Sequence, residues 1–362
     1  MRGSARPIKV LLIAPGNEIL GGQTIQADRL MKILGEAPEI EIRRQAINPL
    51  FPAPLRWVKQ VPVVRTMLTM VLFLLAVARK ALWADILHIF TAGLSSYTLW
   101  TIPAMVFAKL YGKKIVINYR DGRGEDHLRR YRTAKPTLAW ADRIISPSGY
   151  IVDLFARYGL KAGTINNVIE GNRFIDRHRS QLQPILMTNR SLEPLYNVDC
   201  ILRAFSKVLG RYPEASLIIA HEGPEQARLE QLAKDLQLRN YRFIGKVAPR
   251  DVPKLYDSAD IYITTPNIDC MPGSLLEAMA SGIPIVATNT GGIPYMVTDG
   301  KNALLVELND DQAVAQHVLR LLEDPALVER LTEDARRELT NYGAKPIRDQ
   351  WIALYQDLMH AG

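Results

Sequence analysis

Short apolar segments rich in β-branched residues recur along this sequence, and helical patterns separate them. A first series of these segments lies at residues 8–13, 85–90, 114–118 and 143–146. A second series lies at residues 185–187, 216–220, 241–244, 260–263 and 283–287. Short buried strands that alternate with helices predict parallel sheets joined by crossover helices. Two such series predict an α/β chain of two doubly wound, Rossmann-like domains that face each other across a cleft.

The length of the chain and one polar stretch predict where these domains divide. A chain of 362 residues is long enough to form two domains, each able to bury its own core. The Arg-rich stretch from Glu170 to Pro184 separates the two series of strands. We therefore expect an N-terminal domain at residues 7–175 and a C-terminal domain at residues 181–342.

The charges are distributed unevenly between the two halves of the chain. Residues 1–180 contain 27 Lys and Arg against 13 Asp and Glu, whereas residues 181–362 contain 18 against 24. A basic half indicates an anionic partner, such as a membrane surface, a lipid phosphate or a nucleic acid. A solvated basic face without a partner explains the charge equally well.

The cysteine count and the first apolar run indicate a cytoplasmic protein. Two cysteines, Cys200 and Cys270, are too few for a disulfide framework or a zinc cluster and fit a reducing compartment. The apolar run at residues 8–14 is too short for a signal peptide and leads into a glycine loop.

One segment, Thr66–Ala78, is almost wholly apolar and is flanked by Arg65 and by Arg79 and Lys80. Its 13 residues are too few to span a bilayer, which takes about 20. We therefore expect a helix buried within the N-terminal domain. The alternative is a monotopic contact with the membrane, in which the basic flanks lie at the lipid headgroups and residues 51–65 form the rim.

The stretch from Asp269 to Gly282 carries the most chemical information. Two acids, Asp269 and Glu277, are separated by seven residues across which a loop becomes a helix, with the turn residues 272–274 at its start. The free N–H groups and the dipole of such a helix start favour a phosphate by about 0.5–2 kcal/mol. Both acids are placed to accept hydrogen bonds from hydroxyl groups. This combination fits a sugar diphosphonucleoside better than it fits a metal ion.

The same stretch resembles a family signature. It is similar to that of the retaining family 4 glycosyltransferases (glycosyl transferases group 1) of GT-B fold, in which a Glu is followed by seven residues and a second Glu before Ala-Met-Ala-x-Gly-x-Pro. The resemblance extends along nearly the whole chain, to Gly21-Gly22, Ser146–Ser148, Glu222–Glu225, Phe243–Val247, Tyr256–Asp260 and Val286–Pro294.

The resemblance implies a role for individual residues in sugar transfer from a nucleotide sugar. Glu277 would hold the ribose hydroxyls, Asp269 would bind the donor sugar, and Arg190 would bind the phosphates. Gly21 and Gly22 would let the backbone of the other domain approach the donor phosphate. The remaining donor-binding residues would be Val247 and the residues whose amides line the sugar and the phosphates: Cys270, Met271, Gly273, Ser274 and Leu275.

Three departures from the family pattern concern this site. Tyr196-Asn197 stands, one residue late, where the family usually has Lys-Gly, so a phosphate-neutralising Lys is missing. Asp269 is shorter by one methylene than the Glu of the family. Arg120 stands where many members have a sugar-contacting His, and we predict that it supplies the missing positive charge. Arg120, Arg190 and Asp269 are therefore the predicted catalytic residues, although a decayed site that binds without catalysis remains the other interpretation.

The resemblance also implies the reaction and the domain roles. A UDP- or GDP-sugar would donate its sugar, with retention, to a saccharide or lipid-linked acceptor in cell-envelope or exopolysaccharide synthesis, without a cofactor. The first domain would be the acceptor side, the second would bind the donor, and residues 343–362 would form a helix that crosses back to the first. No Asp-x-Asp motif stands at a strand end, so we expect no metal. Peripheral contact with an anionic membrane is the alternative to a wholly cytoplasmic location.

Other functions of the same architecture stay open. A nucleotide-sugar 2-epimerase shares the two domains, and a non-catalytic nucleotide-sugar-binding protein is compatible with the missing Lys. No aromatic-basic recognition module is evident, so we do not expect a nucleic acid.

Two further features of the first half have a functional and a structural interpretation. A basic stretch is a candidate for binding an acceptor phosphate, and a solvated basic helix explains it nearly as well; its members are Arg120, Arg123, Arg129, Arg130, Arg132 and Lys135. His88 and His127 are expected to be structural histidines satisfied by the backbone rather than catalytic groups.

Overall fold

The computed structural model describes residues 6–16, 21–48, 51, 62–179 and 181–360. The chain forms two compact units. The first comprises Met1–Val168 together with Ala344–Gly362, and the second comprises Ile169–Gly343.

The secondary structure alternates between strands and helices in both units. The strands are β1 (Ile8–Ala14), β2 (Ile40–Ala46), β3 (Ile86–Thr91), β4 (Lys114–Tyr119), β5 (Arg143–Ser146), β6 (Gly163–Thr164), β7 (Ile185–Thr188), β8 (Ser216–Ile219), β9 (Tyr241–Phe243), β10 (Ile261–Thr264), β11 (Ile285–Thr288) and β12 (Leu304–Val306). The helices are α1 (Gly22–Gly35), α2 (Pro62–Trp83), α3 (Leu94–Ser96), α4 (Ile102–Leu110), α5 (Gly124–Arg130), α6 (Ala134–Leu138), α7 (Gly149–Arg157), α8 (Val198–Leu209), α9 (Gln226–Asp235), α10 (Val252–Asp257), α11 (Gly273–Ala280), α12 (Asp311–Glu323), α13 (Pro325–Leu339) and α14 (Ala344–His360). Short 3-10 helices lie at Gly171–Arg173, Pro194–Tyr196, Ile293–Tyr295 and Thr340–Tyr342, and a π-helix at Tyr97–Thr101 links α3 to α4.

The first unit is built on one parallel sheet. Within its described residues six strands pair in the order β2-β1-β3-β4-β5-β6. The chain passes from β1 to β2 in one direction and from β3 onward in the other, so the topological switch point lies between β1 and β3. All six residues of β3 are buried, as expected for a strand covered on both faces.

The second unit repeats this architecture with its own sheet. Its described residues contain six parallel strands in the order β12-β11-β10-β7-β8-β9. Alternate residues of β8 enter opposite cores: Leu217 and Ile219 pack with α8 and α12, and Ile218 packs with α11. The prediction of two doubly wound parallel sheets is confirmed.

The last helix, α14, packs into the first unit. Ile347, Trp351, Tyr355 and Leu358 follow a helical spacing along one face and are buried against residues of β1 and α1. Apolar burial on this scale, about 1.5–3 kcal/mol for each large side chain, holds the helix in place.

The apolar segment predicted at Thr66–Ala78 is the middle of a longer helix, α2. Phe73, Val77 and Ala81 are buried, as expected, but Met67 is 66% exposed and Leu75 is 65% exposed. The prediction of a buried helix is therefore wrong for one face. Among the described residues, Val63–Trp83 is the one helix long and apolar enough to cross a membrane by length and composition alone. Most of the predicted rim, residues 52–61, lies outside the described residues.

Candidate functional site

The topology of the second sheet brings the predicted site residues together. The chain reverses its direction of strand addition between β7 and β10, which pair through Leu186 and Ile261. Ligands of doubly wound sheets bind beyond the carboxyl ends of the strands at this switch point. Arg190 follows β7 by two residues, and Asp269 lies on the loop between β10 and α11. Residues 79 positions apart in the chain therefore meet at one edge of the sheet.

Arg190 is held by three neighbours. Its Nη2 forms an ion pair with the Asp269 carboxylate, and its Nη1 donates to Ser274 Oγ at 3.2 Å. The guanidinium carbon lies 4.3 Å from the centre of the Tyr196 ring, a cation–π contact. Both charged side chains are 13% exposed. Arg190 Nε is buried and has no hydrogen-bond partner within the described part of the chain, so one N–H of the guanidinium is unsatisfied.

The electrostatics keep a permanent cation at this position. Burial disfavours charge on Arg190, but the neighbouring Asp269 carboxylate raises the pKa of the guanidinium above its ordinary value. Burial raises the pKa of Asp269, while Arg190 and the backbone amides of Cys270 and Met271 oppose that shift by hydrogen-bonding or attracting the carboxylate. Arg190 therefore stays positively charged and is oriented by the Asp269 carboxylate. This arrangement is suited to a second anion that carries more negative charge than Asp269.

A relay of polar side chains fixes α11 to β7. Tyr262 Oη donates to Asn189 Oδ1, Asn189 Nδ2 donates to Tyr256 Oη, and Tyr256 Oη donates to the Ser274 carbonyl, each at 3.0 Å. Burial raises the pKa of Tyr262 to about 12 and that of Tyr256 well above its ordinary value, so both stay neutral donors. No role was predicted for these residues from the sequence. The available signal was Tyr262 within the otherwise apolar, buried strand β10. Tyr256 lies on α10, which also carries Lys254 and Asp257.

The helix start predicted between the two acids is present. Helix α11 begins at Gly273 after Pro272, and no side chain caps its N-terminus among the described residues. A Cβ at Gly273 would meet no atom within 4 Å, so the start of the helix is open to a ligand. Its first N–H groups favour an anion there. Ser274 and Leu275, in the first turn, are buried.

Glu277 lies one turn into this helix, as its spacing predicts. The residue is half-buried, and its carboxylate contributes to the raised pKa of Tyr256 after burial itself. The amides of Cys270 and Met271, predicted to face the donor, hydrogen-bond the Asp269 carboxylate in this structure. Val247 lies between β9 and α10 and packs partly buried against the core beside α11.

A glycine pair fixes the backbone of Asp269. Gly291 has φ +53°, and a Cβ there would lie 2.3 Å from the Asp269 carbonyl oxygen. The Gly292 amide donates to that same oxygen at 2.8 Å. Only glycine allows this approach and this left-handed conformation without strain. Gly291-Gly292 therefore positions an acid of the site and does more than make a turn.

The departure at Tyr196-Asn197 preserves the turn while changing its chemistry. Tyr196 ends the 3-10 turn Pro194–Tyr196, and Asn197 adopts the left-handed conformation with φ 47°. Asn tolerates this conformation better than other residues with a Cβ, so it can replace the Gly of the family pattern. The Lys position is occupied by an aromatic ring stacked on Arg190.

The predicted residues of the first unit lie at the ends of its strands and helices. Gly21 precedes α1 and Gly22 begins it, and a Cβ at either would meet nothing within 4 Å. Arg120 follows β4; its Nη1 donates to Asn118 Oδ1 at 3.2 Å, and its Nη2 donates to Asn167 Oδ1. Its guanidinium carbon is 4.6 Å from the centre of the Phe90 ring. Its role in donor binding stays a prediction.

The prediction that the backbone satisfies both histidines is wrong, because the hydrogen-bond partners of both are side chains. His88 Nδ1 lies 2.6 Å from Tyr355 Oη, and its Nε2 lies 3.2 Å from Asn118 Nδ2. Because the amide donates, Nε2 is unprotonated and the ring is neutral. Burial, with a smaller effect from Arg120, lowers the pKa of His88 to about 3. His127 is also buried and lies 3.0 Å from Tyr119 Oη through Nδ1.

Three of the six basic residues in the stretch after β4 form ion pairs with acids of the same stretch. Arg123 contacts Asp121 at 3.1 Å, and Arg129 contacts Glu125 at 2.7 Å. Arg130 lies 3.9 Å from Asp126. The pairs of Arg129 and Arg130 are exposed and join residues one turn apart on α5, which is the arrangement of a solvated helix surface. The Asp121 side chain, in contrast, is only 9% exposed.

The described residues offer no group of three or more His, Cys, Asp or Glu side chains that could hold a metal ion. The two cysteines are free and buried.

The fold and the family place the molecule among known proteins. Its two doubly wound parallel-sheet units are those of the GT-B class. The structure of Anabaena Alr3699/HepE in complex with UDP and glucose superimposes with a TM-score of 0.75, covering 96% of this chain and 99% of that one at 17% identity. Residues 172–338 match the sequence model of the family described as glycosyl transferases group 1. This match covers most of the second unit.

Curated relatives match about half of this chain. N-acetyl-alpha-D-glucosaminyl L-malate synthase of Bacillus anthracis is 28% identical over 207 residues, which cover 54% of each chain. D-inositol 3-phosphate glycosyltransferase of Corynebacterium jeikeium is 32% identical over 180 residues, covering 47% of this chain and 43% of the relative. The chain thus spans about half the length of the curated relatives it matches.

Proposed function

We propose that this protein is a nucleotide-sugar-dependent glycosyltransferase that acts with retention of the anomeric configuration. The observation that carries the proposal is Arg190, buried at the switch point beside the open start of α11 and left with one unsatisfied N–H. A fixed cation and free helix amides at this position bind a diphosphate. The family of residues 172–338 supports the same chemistry, as does the UDP in the HepE structure.

The proposed mechanism assigns the chain the task of stabilising a leaving group. The bond between the anomeric carbon and the diphosphate oxygen breaks, and the acceptor oxygen attacks from the same face. The departing diphosphate takes the proton of the acceptor hydroxyl, so no side-chain nucleophile is needed. Arg190 and the first amides of α11 stabilise the negative charge that develops on the diphosphate. Their rigid support by the Tyr262–Asn189–Tyr256 relay keeps the reorganisation cost low.

The two acids bind the neutral parts of the donor. Glu277, one turn into α11, accepts hydrogen bonds from the ribose hydroxyls, and Asp269 accepts them from the sugar. Asp269 is suited to this because its backbone is fixed by Gly292 and its carboxylate by Arg190. Gly21 and Gly22 have open space in which the backbone could approach a phosphate, and Arg120 is proposed to add a positive charge.

The donor is proposed to be a UDP- or GDP-sugar, used without a metal ion or another cofactor. Arg190 is a positive charge already held in place. It would neutralise the diphosphate, as a divalent cation does in other enzymes. The acceptor is proposed to be a saccharide or a lipid-linked saccharide of the cell envelope or of an exopolysaccharide. The basic first half of the chain supports an acceptor at an anionic surface, and the location is then cytoplasmic and peripheral to the membrane.

A second candidate is a protein that binds a nucleotide sugar without transferring it. The specific observation in its favour is that Tyr196 occupies the Lys position and Asp269 already neutralises Arg190. Loss of one cation weakens the stabilisation of a diphosphate leaving group more than it weakens ground-state binding. Binding of a donor without release of its nucleoside diphosphate would distinguish this candidate.

The proposal is tested by a thermal-shift screen against UDP-, GDP- and ADP-sugars, with and without EDTA. We expect one nucleotide class to raise the melting temperature, and the Glu277→Ala variant to lose that shift. The matched control is Glu329→Ala, an exposed Glu on α13, which should keep it. Nucleoside diphosphate release with added acceptor then measures turnover. No stabilisation by any nucleotide sugar would overturn the proposal.

A further inference from the structure

Helix α2 presents an apolar stripe to solvent. The stripe consists of Val64, Met67, Val71, Leu75 and Leu82, which are between 45% and 66% exposed. Spacings of three, four and seven residues place these side chains on one face of the helix. Single exposed apolar residues are ordinary, but a continuous row of large ones marks an interaction surface.

The opposite face of α2 is anchored in the first unit. Phe73, Val77 and Ala81 are fully buried there, and the Phe73 ring meets the Trp100 ring edge-on at a centroid distance of 5.3 Å. The helix also connects β2 to β3 of the sheet. An α2 that crossed a bilayer would have to leave this core, so the stripe is suited to lie on a surface rather than to span a membrane.

The surroundings of the stripe are strongly basic. Residues 42–120 contain eleven Lys and Arg and a single acidic residue, Asp85. Arg65 and Arg79, fourteen residues apart on α2, are exposed and have no ion pair among the described residues. Helix α4, which packs against α2, adds the exposed Leu110 and the exposed Lys109. An apolar row bordered by unpaired cations complements an anionic lipid surface.

We propose that the α2 stripe docks this protein on the surface of an anionic lipid bilayer, with the apolar side chains at the acyl boundary and Arg65 and Arg79 at the headgroups. A second copy of the chain is a poorer occupant. A symmetric contact through this face would bring the same arginines of both copies together, and like charges disfavour such pairing. Each arginine at an anionic surface strengthens binding about fivefold.

The proposal that the stripe binds a bilayer does not depend on the donor chemistry. The acceptor class inferred from it rests on the proposed function. A transferase whose first unit lies on a bilayer has its acceptors among lipid-linked saccharides. A soluble acceptor would give no reason for this surface.

The test is flotation of the full chain with vesicles of phosphatidylcholine alone and of an equimolar mixture of phosphatidylcholine and phosphatidylglycerol. We expect binding to the mixed vesicles only, weakened by high salt. The double variant Val71→Glu/Leu75→Glu should reduce binding at least tenfold, and Arg65→Glu/Arg79→Glu should reduce it to a similar extent. The matched control is Ile175→Glu, which changes a 60% exposed apolar residue of the second unit and should bind as the unaltered chain does.

Three outcomes would overturn the proposal. They are absence of binding to anionic vesicles, equal binding by the Val71→Glu/Leu75→Glu variant, and a dimer of the unaltered chain in light scattering that this variant converts to a monomer. All substituted side chains are exposed, so we expect the variants to fold. Circular dichroism verifies this. The thermal shift by nucleotide sugars, measured on the same samples, reports the donor site separately. A variant that loses vesicle binding but keeps this shift separates failure of the surface from failure of the proposed function.

Discussion

The two units share one architecture, but the switch point of the second unit and the surface of α2 in the first differ in how their charged residues are placed. In the second unit, the charged residues at the switch point are buried and paired, as Arg190 and Asp269 show. In the first unit, the basic residues near α2 point outward, and Arg65 and Arg79 have no acidic partner within the described residues. A buried charge is costly unless it serves a ligand or a partner group, whereas an exposed cation costs little. The same fold thus holds a buried charge pair in one copy and an exposed basic surface in the other.

The largest effect is expected from removing the buried cation. Arg190→Ala should lower kcat/KM at least a thousandfold, because the developing diphosphate charge loses its main stabilising group. It should also cost about 3 kcal/mol of unfolding free energy, since Asp269 is left buried without its partner. Nucleoside diphosphate release and urea unfolding measure the two effects.

The double variant Arg190→Ala/Asp269→Asn separates these two effects. It should recover most of the lost stability, because the uncompensated carboxylate is gone, but none of the activity. Full activity in Arg190→Ala would contradict the interpretation that the buried pair of the second unit serves a ligand, unlike the unpaired arginines at the surface of the first unit.

A smaller effect is expected at the glycine that positions Asp269. Gly291→Ala introduces a Cβ 2.3 Å from the Asp269 carbonyl oxygen at a φ of +53°. We expect a loss of about 2–4 kcal/mol in unfolding free energy and weaker donor binding, as the loop moves away. Gly300→Ala is the control, because Gly300 has φ +67° but open space around its Cβ position. It should lose only the backbone term of about 1–2 kcal/mol and should bind the donor normally.

The smallest effect concerns a buried polar group in the first unit. His88 is neutral when folded, with a pKa of about 3 against an ordinary value of 6.5. A depressed pKa means that the unfolded chain binds more protons below pH 6.5, so stability is complete above that pH and declines as the pH falls toward 3. At pH 5 the expected loss from His88 is about 2 kcal/mol.

Tryptophan fluorescence can measure this loss in the first unit alone. All five tryptophans, Trp57, Trp83, Trp100, Trp140 and Trp351, belong to that unit. Urea unfolding at pH 7 and pH 5 should show the decline, and His88→Asn should reduce it. Part of the decline should remain, because burial also lowers the pKa of His127, to about 4. An equal decline in His88→Asn and the unaltered chain would refute the attribution of this stability loss to the low pKa of His88.

Much of the fold could be predicted because it is encoded locally. The strands at the centre of each sheet are continuous apolar runs, and β1, β3, β4, β7 and β10 all lie where the pattern predicts them. Three of the four edge strands, β2, β6 and β12, were missed, whereas the edge strand β9 lies within the predicted segment 241–244. Strand β2, Ile-Glu-Ile-Arg-Arg-Gln-Ala, is partly exposed and carries charges, and β6 has only two residues. An edge strand needs no continuous apolar run, because one side of it faces solvent.

The sequence by itself determined the two sheets, the helix start at Gly273 and the spacing of Asp269 and Glu277, because periodicity and turn chemistry act over a few residues. The tertiary structure alone decided which face of α2 is exposed, since a segment apolar all around has no polar face to reveal its orientation. It also decided the partner of His88, which is 267 residues away, and the contact of Gly291 with Asp269. Such contacts depend on how distant elements pack, and no local pattern records them.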